Sequence, residues 1–170
     1  MEMDSIKIEL KLLTECLKKK EHALRQIASI TENQGDLLAS SLEKGEVYSF
    51  FMQMNVEKQS FIELVLQYDQ VFENVLAKIG PELDANPSKH VEQVRILQDL
   101  IRVVMDLDVQ IRVSEDSNSQ ILTTTLDKIQ GGQSNQTNEN QASDKPEAID
   151  SGEYGSNKVI DAYKNQSKRY

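Results

Sequence analysis

The chain has 170 residues, with 19 Lys and Arg against 28 Asp and Glu, a formal net charge of −9. That length suits one domain, and that charge argues against a nucleic-acid binder or a surface for anionic lipid, which both need a basic field. One Cys excludes an intrachain disulfide and a multi-Cys metal site, and 7 Gly with 3 Pro are too few breakers for a turn-rich all-β fold.

The start, MEMDSIKIEL, lacks the basic opening and apolar run of a signal peptide. No stretch approaches the ~18 apolar residues that span a bilayer. The expectation is a cytoplasmic protein without stable membrane insertion.

The first segment carries Ile6, Leu10, Leu13, Leu17, Leu24, Ile27 and Leu38 on a 4-3-4-3 ladder, with Lys20, Thr31 and Gln34 on the remaining rungs. A 3.5-residue repeat marks helices packed side by side with a left-handed twist. It predicts a helix over about 5–39, weakened at Gly35 by roughly 1 kcal/mol. Ser40 with Glu43 fits a capping box, and Gly45 interrupts the next turn. A second ladder follows at Val47, Phe51, Met54, Lys58, Phe61, Val65, Tyr68, Phe72, Val75 and Ile79. All four Phe lie here, so the helix predicted over about 46–79 is the central one. Gly80-Pro81 should stop it, and Asn86-Pro87 should start the next. The third ladder runs Val94, Leu97, Ile101, Val104, Asp108, Ile111, Glu115, Asn118, Leu122, Thr125 and Ile129, a helix over about 87–130 ending at Gly131-Gly132.

Short connections make consecutive helices antiparallel. The predicted fold is therefore all-α: an antiparallel, coiled-coil-like bundle of three long helices over residues 1–130. Sixteen of the 27 residues from 131 to 157 are Gly, Ser, Thr, Asn or Gln, which predicts a disordered polar linker. Residues 158–170 form a short basic tail, read as a helical tag. Val159, Ile160 and Tyr163 cluster at helical spacing as a docking element, and a frayed terminus is the alternative.

At ~1.5 Å per residue the first two helices span about 50 Å and the third about 65 Å. The surplus falls at the C-terminal end of the third helix. Val113, Ile121, Leu122, Leu126 and Ile129 are the candidate partner-binding residues there, with a groove suited to an amphipathic helix of another chain. A folded-back tail or a weak homodimer could cover the stripe instead. Folding about residue 83 brings Lys58 opposite Asp108, and the two are expected as a partly buried pair that fixes register. The alternative is that both side chains snorkel to water.

Parts for catalysis are missing, so no enzyme activity, cofactor or metal site is expected. His22 and His90 are isolated and placed on solvated helix faces. Cys16 reads as a packing residue. Glu115 with Asp116 and Asp106 with Asp108 splay apart on a helix. Lys18-Lys19-Lys20 reads as a solvated basic spot.

Several stretches together resemble the FlgN/FliT-type flagellar type III export chaperones in their clostridial form. They are Leu17-Lys18-Lys19-Lys20 with Leu24 and Ile27; Glu32-Asn33-Gln34; Glu57-Lys58; Phe72; LQDLIRVVMDLDVQI from Leu97 to Ile111, followed by Glu115 and Asn118; and AYKNQ from Ala162 to Gln166. Two features depart from that pattern: Ser117 stands where a basic residue commonly precedes the position of Asn118, and the polar linker is long. The resemblance implies a cytoplasmic helical chaperone. Its clients would be hook–filament junction or filament-cap proteins, held by their C-terminal amphipathic helices and delivered to the export gate. A self-associating coiled-coil protein without an export client is the alternative.

Overall fold

The computed structural model describes residues 3–133, with side chains over residues 5–125. It is an all-α helical bundle: α1 (Met3–Leu38), α2 (Lys44–Ala85) and α3 (Val91–Gln133), with a 3-10 turn at Pro87–Lys89 before α3. Among the described residues there is no strand. The linker and tail expected beyond residue 133 lie outside the described residues.

The ladders explain the helices. Every α1 rung from Ile6 to Gln34 is buried, including Lys20, Thr31 and Gln34. A helix of this length is held by tertiary packing of one face more than by propensity.

Three boundaries differ from expectation. Pro81 stands inside α2, which continues to Ala85. A mid-helix Pro costs about 3 kcal/mol through a lost N–H and a crowded carbonyl. Two contacts secure the turn beyond it: Asn86 donates its backbone N–H to the Glu82 carbonyl at 3.0 Å, and its side-chain Nδ2 to Glu82 Oε1 at 2.8 Å. Asn86 and Pro87 open the 3-10 turn, Asn86 at its N-cap without a side-chain cap bond, and α3 begins four residues later than expected. Ser40 does not open α2 either. Its hydroxyl donates to the Leu37 carbonyl at 2.6 Å and closes α1, and Gly45 sits within the first turn of α2 without interrupting it. With both ends extended, α2 has 42 residues and α3 has 43. The surplus of about ten residues expected of the third helix is therefore gone against α2, and against α1, with 36 residues, it is seven.

The chain divides into two compact units. The first comprises Met1–Ile30 and Val56–Ile111. Its core is mainly aliphatic: Ile6, Leu10, Leu13, Leu17, Leu24 and Ile27 of α1 are each 2% exposed or less, as are Ile62, Val65 and Ile79 of α2 and Val104 and Ile111 of α3, and Lys20, Lys58, Asp69, His90 and Asp108 are buried in the same unit. Burying each such aliphatic side chain contributes roughly 1.5–3 kcal/mol. Lys20 Nζ meets Asp69 Oδ1 at 2.6 Å, both buried, and Lys78 pairs with Glu9 at the surface. Contact partners that climb α1 as they descend α2 are the mark of an antiparallel pair. Asp69 and Ile62, off the predicted ladder, are buried, whereas the rung residues Phe61 and Tyr68 are only half-buried.

His90 corrects another expectation. It is not on a solvated face but only 3% exposed, because the 3-10 turn tucks it in just before α3. Its carbonyl accepts the Val94 N–H at 2.9 Å, the bond expected of a helix N-cap.

Candidate functional site

The second unit comprises Thr31–Asn55 and Arg112–Tyr170. Its α1 and α3 rungs Thr31, Gln34, Glu115 and Asn118 are polar and hydrogen-bonded, whereas in the first unit polar rungs such as Lys20, Lys58 and Asp108 are interspersed among aliphatic ones. Thr31 Oγ1 donates to Glu115 Oε1 at 3.2 Å. Gln34 Nε2 donates to Asn55 Oδ1 at 2.7 Å and to the Phe51 carbonyl at 3.3 Å. Asn118 Nδ2 donates to the Thr31 carbonyl at 2.9 Å. Thr31, Gln34, Glu115 and Asn118 are all buried, and a satisfied polar layer of this kind fixes register while adding little net stability. Gly35 belongs to the same layer. A Cβ there would stand 3.0 Å from Asn118 Oδ1, so the glycine allows a close approach as well as weakening the helix.

Of the twenty buried apolar side chains among the described residues, nineteen belong to the first unit and only Phe51 to the second. Large apolar side chains face solvent in both units, Ile8 and Val56 of the first among them, but in the second they stand beside almost no apolar core: Leu42 and Phe50 are 47% and 46% exposed, and Tyr48 is 41%. None of these three was a sequence candidate. The available signal was their position off the ladder, beside the rungs Val47 and Phe51.

The predicted partner-binding residues are not one stripe. Val113 is 64% exposed and Ile121 40%, whereas Leu122 is half-buried. Helix geometry sets Val113 about 180° from Leu122 and about 80° from Ile121. Val113 therefore stands opposite the buried face. The side chains of Leu126 and Ile129 lie outside the described residues, as do Val159, Ile160 and Tyr163 altogether. Lys58 and Asp108 are buried more deeply than the partly buried pair expected, at 0% and 6% exposure, so neither snorkels to water.

The remaining chemistry-bearing residues are plain. His22 is exposed, and Cys16 is buried. Burial pushes the Cys16 thiol above its ordinary pKa, against a smaller downward pull from the Lys19 charge. That is the reverse of the activation a nucleophile needs. Among the described residues no group of three or more His, Cys, Asp or Glu is arranged to hold a metal ion, and no helix is long and apolar enough to cross a membrane. No family model, curated protein or solved structure matches the chain.

Proposed function

We propose that this chain is a cytoplasmic flagellar export chaperone, which shelters a C-terminal amphipathic helix of a hook–filament junction or filament-cap protein on its second unit. One observation carries the reading: among its described side chains the second unit buries a single apolar one, Phe51, while Leu42, Tyr48, Phe50, Val113 and Ile121 stand in solvent. Apolar surface left without an internal partner marks an interaction site, and the apolar face of a client helix is the matching shape. Each Å² removed from water contributes roughly 25 cal/mol. The net charge of −9 keeps the loaded complex apart from other copies. Delivery to the export gate follows from the sequence resemblance, with Val159, Ile160 and Tyr163 as the tail's docking residues.

Calorimetric titration of the full chain with the C-terminal helices of those clients tests this. The expected result is a one-to-one complex whose Kd rises at least about tenfold in Ile121→Asp, a loss of roughly 1.4 kcal/mol. Ile8→Asp, at a 67% exposed site of the first unit, should leave binding unchanged. The reading fails if no client helix binds, or if the chain is a stable self-associated coiled coil that client helices do not open.

A further inference from the structure

The run Lys18-Lys19-Lys20 has a structure that its sequence did not suggest. Lys20 turns inward to Asp69, and that pair is neutral as a unit. Lys18 and Lys19 turn outward with His22, and together they rim a cavity of about 230 Å³ in the first unit. Its opposite wall is apolar, made by Phe61, Leu64 and Tyr68 of α2. Ala23, small and buried, leaves the room between them. The wall exists because α2 presents Ile62, Val65 and Asp69 to the core, which leaves the flanks of Phe61 and Tyr68 half-covered.

No carboxylate lines the cavity. Of the neighbouring acids on α1, Glu21 holds Arg25 at 2.8 Å, and Glu15 makes a loose, exposed contact with Lys18 itself at 3.6 Å, one that an incoming carboxylate must replace. Lys19 and His22 form no ion pair among the described residues. On a chain of net charge −9, the lining of this aromatic-walled recess carries Lys18, Lys19 and His22 and no carboxylate. Its volume is below the ~300–1,000 Å³ of sites for small organic ligands, so it suits one large side chain.

We propose that this recess is a second docking site, distinct from the client surface, for an acidic peptide segment of a partner protein that presents one Leu, Ile or Phe between carboxylates. The apolar side chain enters against Phe61, Leu64 and Tyr68. The flanking carboxylates meet Lys18 and Lys19. The overall negative charge repels every acidic chain, so carboxylates alone do not hold a peptide here and the apolar anchor is required with them.

The test uses the full chain and a fluorescent peptide, Asp-Glu-Leu-Phe-Asp-Glu, with a Lys-for-acid analogue as control. The acidic peptide should bind saturably and the analogue should not. Its Kd should rise at least about tenfold in the K18E/K19E double variant and in Leu64→Asp, all at exposed positions. Circular dichroism melts check that both variants fold. The proposal is overturned if the acidic peptide fails to bind at millimolar concentration, if the analogue binds equally, or if both variants keep full affinity. It is also overturned if a peptide of residues 147–154 of this chain binds more tightly, or if the recess proves to hold a second copy in a dimer that both variants dissociate. Client-helix binding and its Ile121→Asp response are read separately, so failure here leaves the chaperone reading standing.

Discussion

In the first unit the rungs of α1 from Ile6 to Ile27 are six aliphatic side chains and one Lys. In the second they are Thr31, Gln34 and a half-buried Leu38. α3 changes in the same direction, from Leu97, Ile101, Val104, Asp108 and Ile111 to Glu115, Asn118, Leu122 and Thr125. The spacing is constant through both, so the helices run on without a break. What differs is the chemistry on the rungs. Spacing sets which face turns inward, whereas rung chemistry sets how strongly that face is held. A long helix can thus join a well-buried stretch to one whose core stays polar and whose large side chains stay available.

The sharpest way to break this comparison is at the buried ion pair. Asp69→Ala leaves the Lys20 ammonium buried without that carboxylate and should cost about 3–5 kcal/mol in urea unfolding. A Lys20→Met, Asp69→Leu double variant should recover most of that loss. Leu24→Ala should cost about 2–5 kcal/mol, because this fully buried site in a packed core cannot collapse. In the second unit the effects are smaller. Gly35→Ala should fail to give the roughly 1 kcal/mol that Ala gains in a helix, because its Cβ meets an Asn118 side chain tied to Thr31. In an Asn118→Ala background the gain should return, and a double-mutant cycle reads the coupling. If Gly35→Ala stabilises the unaltered chain, the polar layer is looser than its hydrogen bonds imply.

The smallest effect belongs to Cys16. Burial raises its thiol pKa, so the folded chain keeps a proton that the unfolded chain releases earlier. The stability this contributes is complete below the unfolded thiol pKa and falls as pH rises past it. The wild type should therefore lose stability relative to Cys16→Ala between pH 7 and pH 10. An unchanged difference would show the thiol to be solvated. Native-state hydrogen exchange sharpens the comparison throughout, since amides of 31–38, 44–55 and 112–125 should exchange faster than those of 6–27 and 62–79.

Most of the fold was legible because each helix repeats its apolar rungs over many turns, and local errors average out. The ladder of α1 was correct residue by residue from Ile6 to Gln34. Failures fell where a single local signal met a tertiary contact. Gly80-Pro81 reads as a stop, yet α2 passes through it. Asn86 reads as a cap, yet its side chain is held by Glu82. The candidate surface was legible only in part. Ile121 and Val113 are exposed as expected, but the length argument behind them failed, and Leu42, Tyr48 and Phe50 were missed.

The sequence by itself determined that this chain makes three long helices, which residues form the inward face of α1, and that Thr31, Gln34, Glu115 and Asn118 would be polar rungs. A period of 3.5 residues specifies a face, and polar rungs are visible in the letters. Only the tertiary structure decided how far each helix is rotated within that face. That rotation buried Ile62 and Asp69 and left Phe61 and Tyr68 half-covered, because neighbouring positions on one side compete for the same space. It also decided that Lys20 belongs to Asp69, since a partner 49 residues away is fixed by packing and by no local rule.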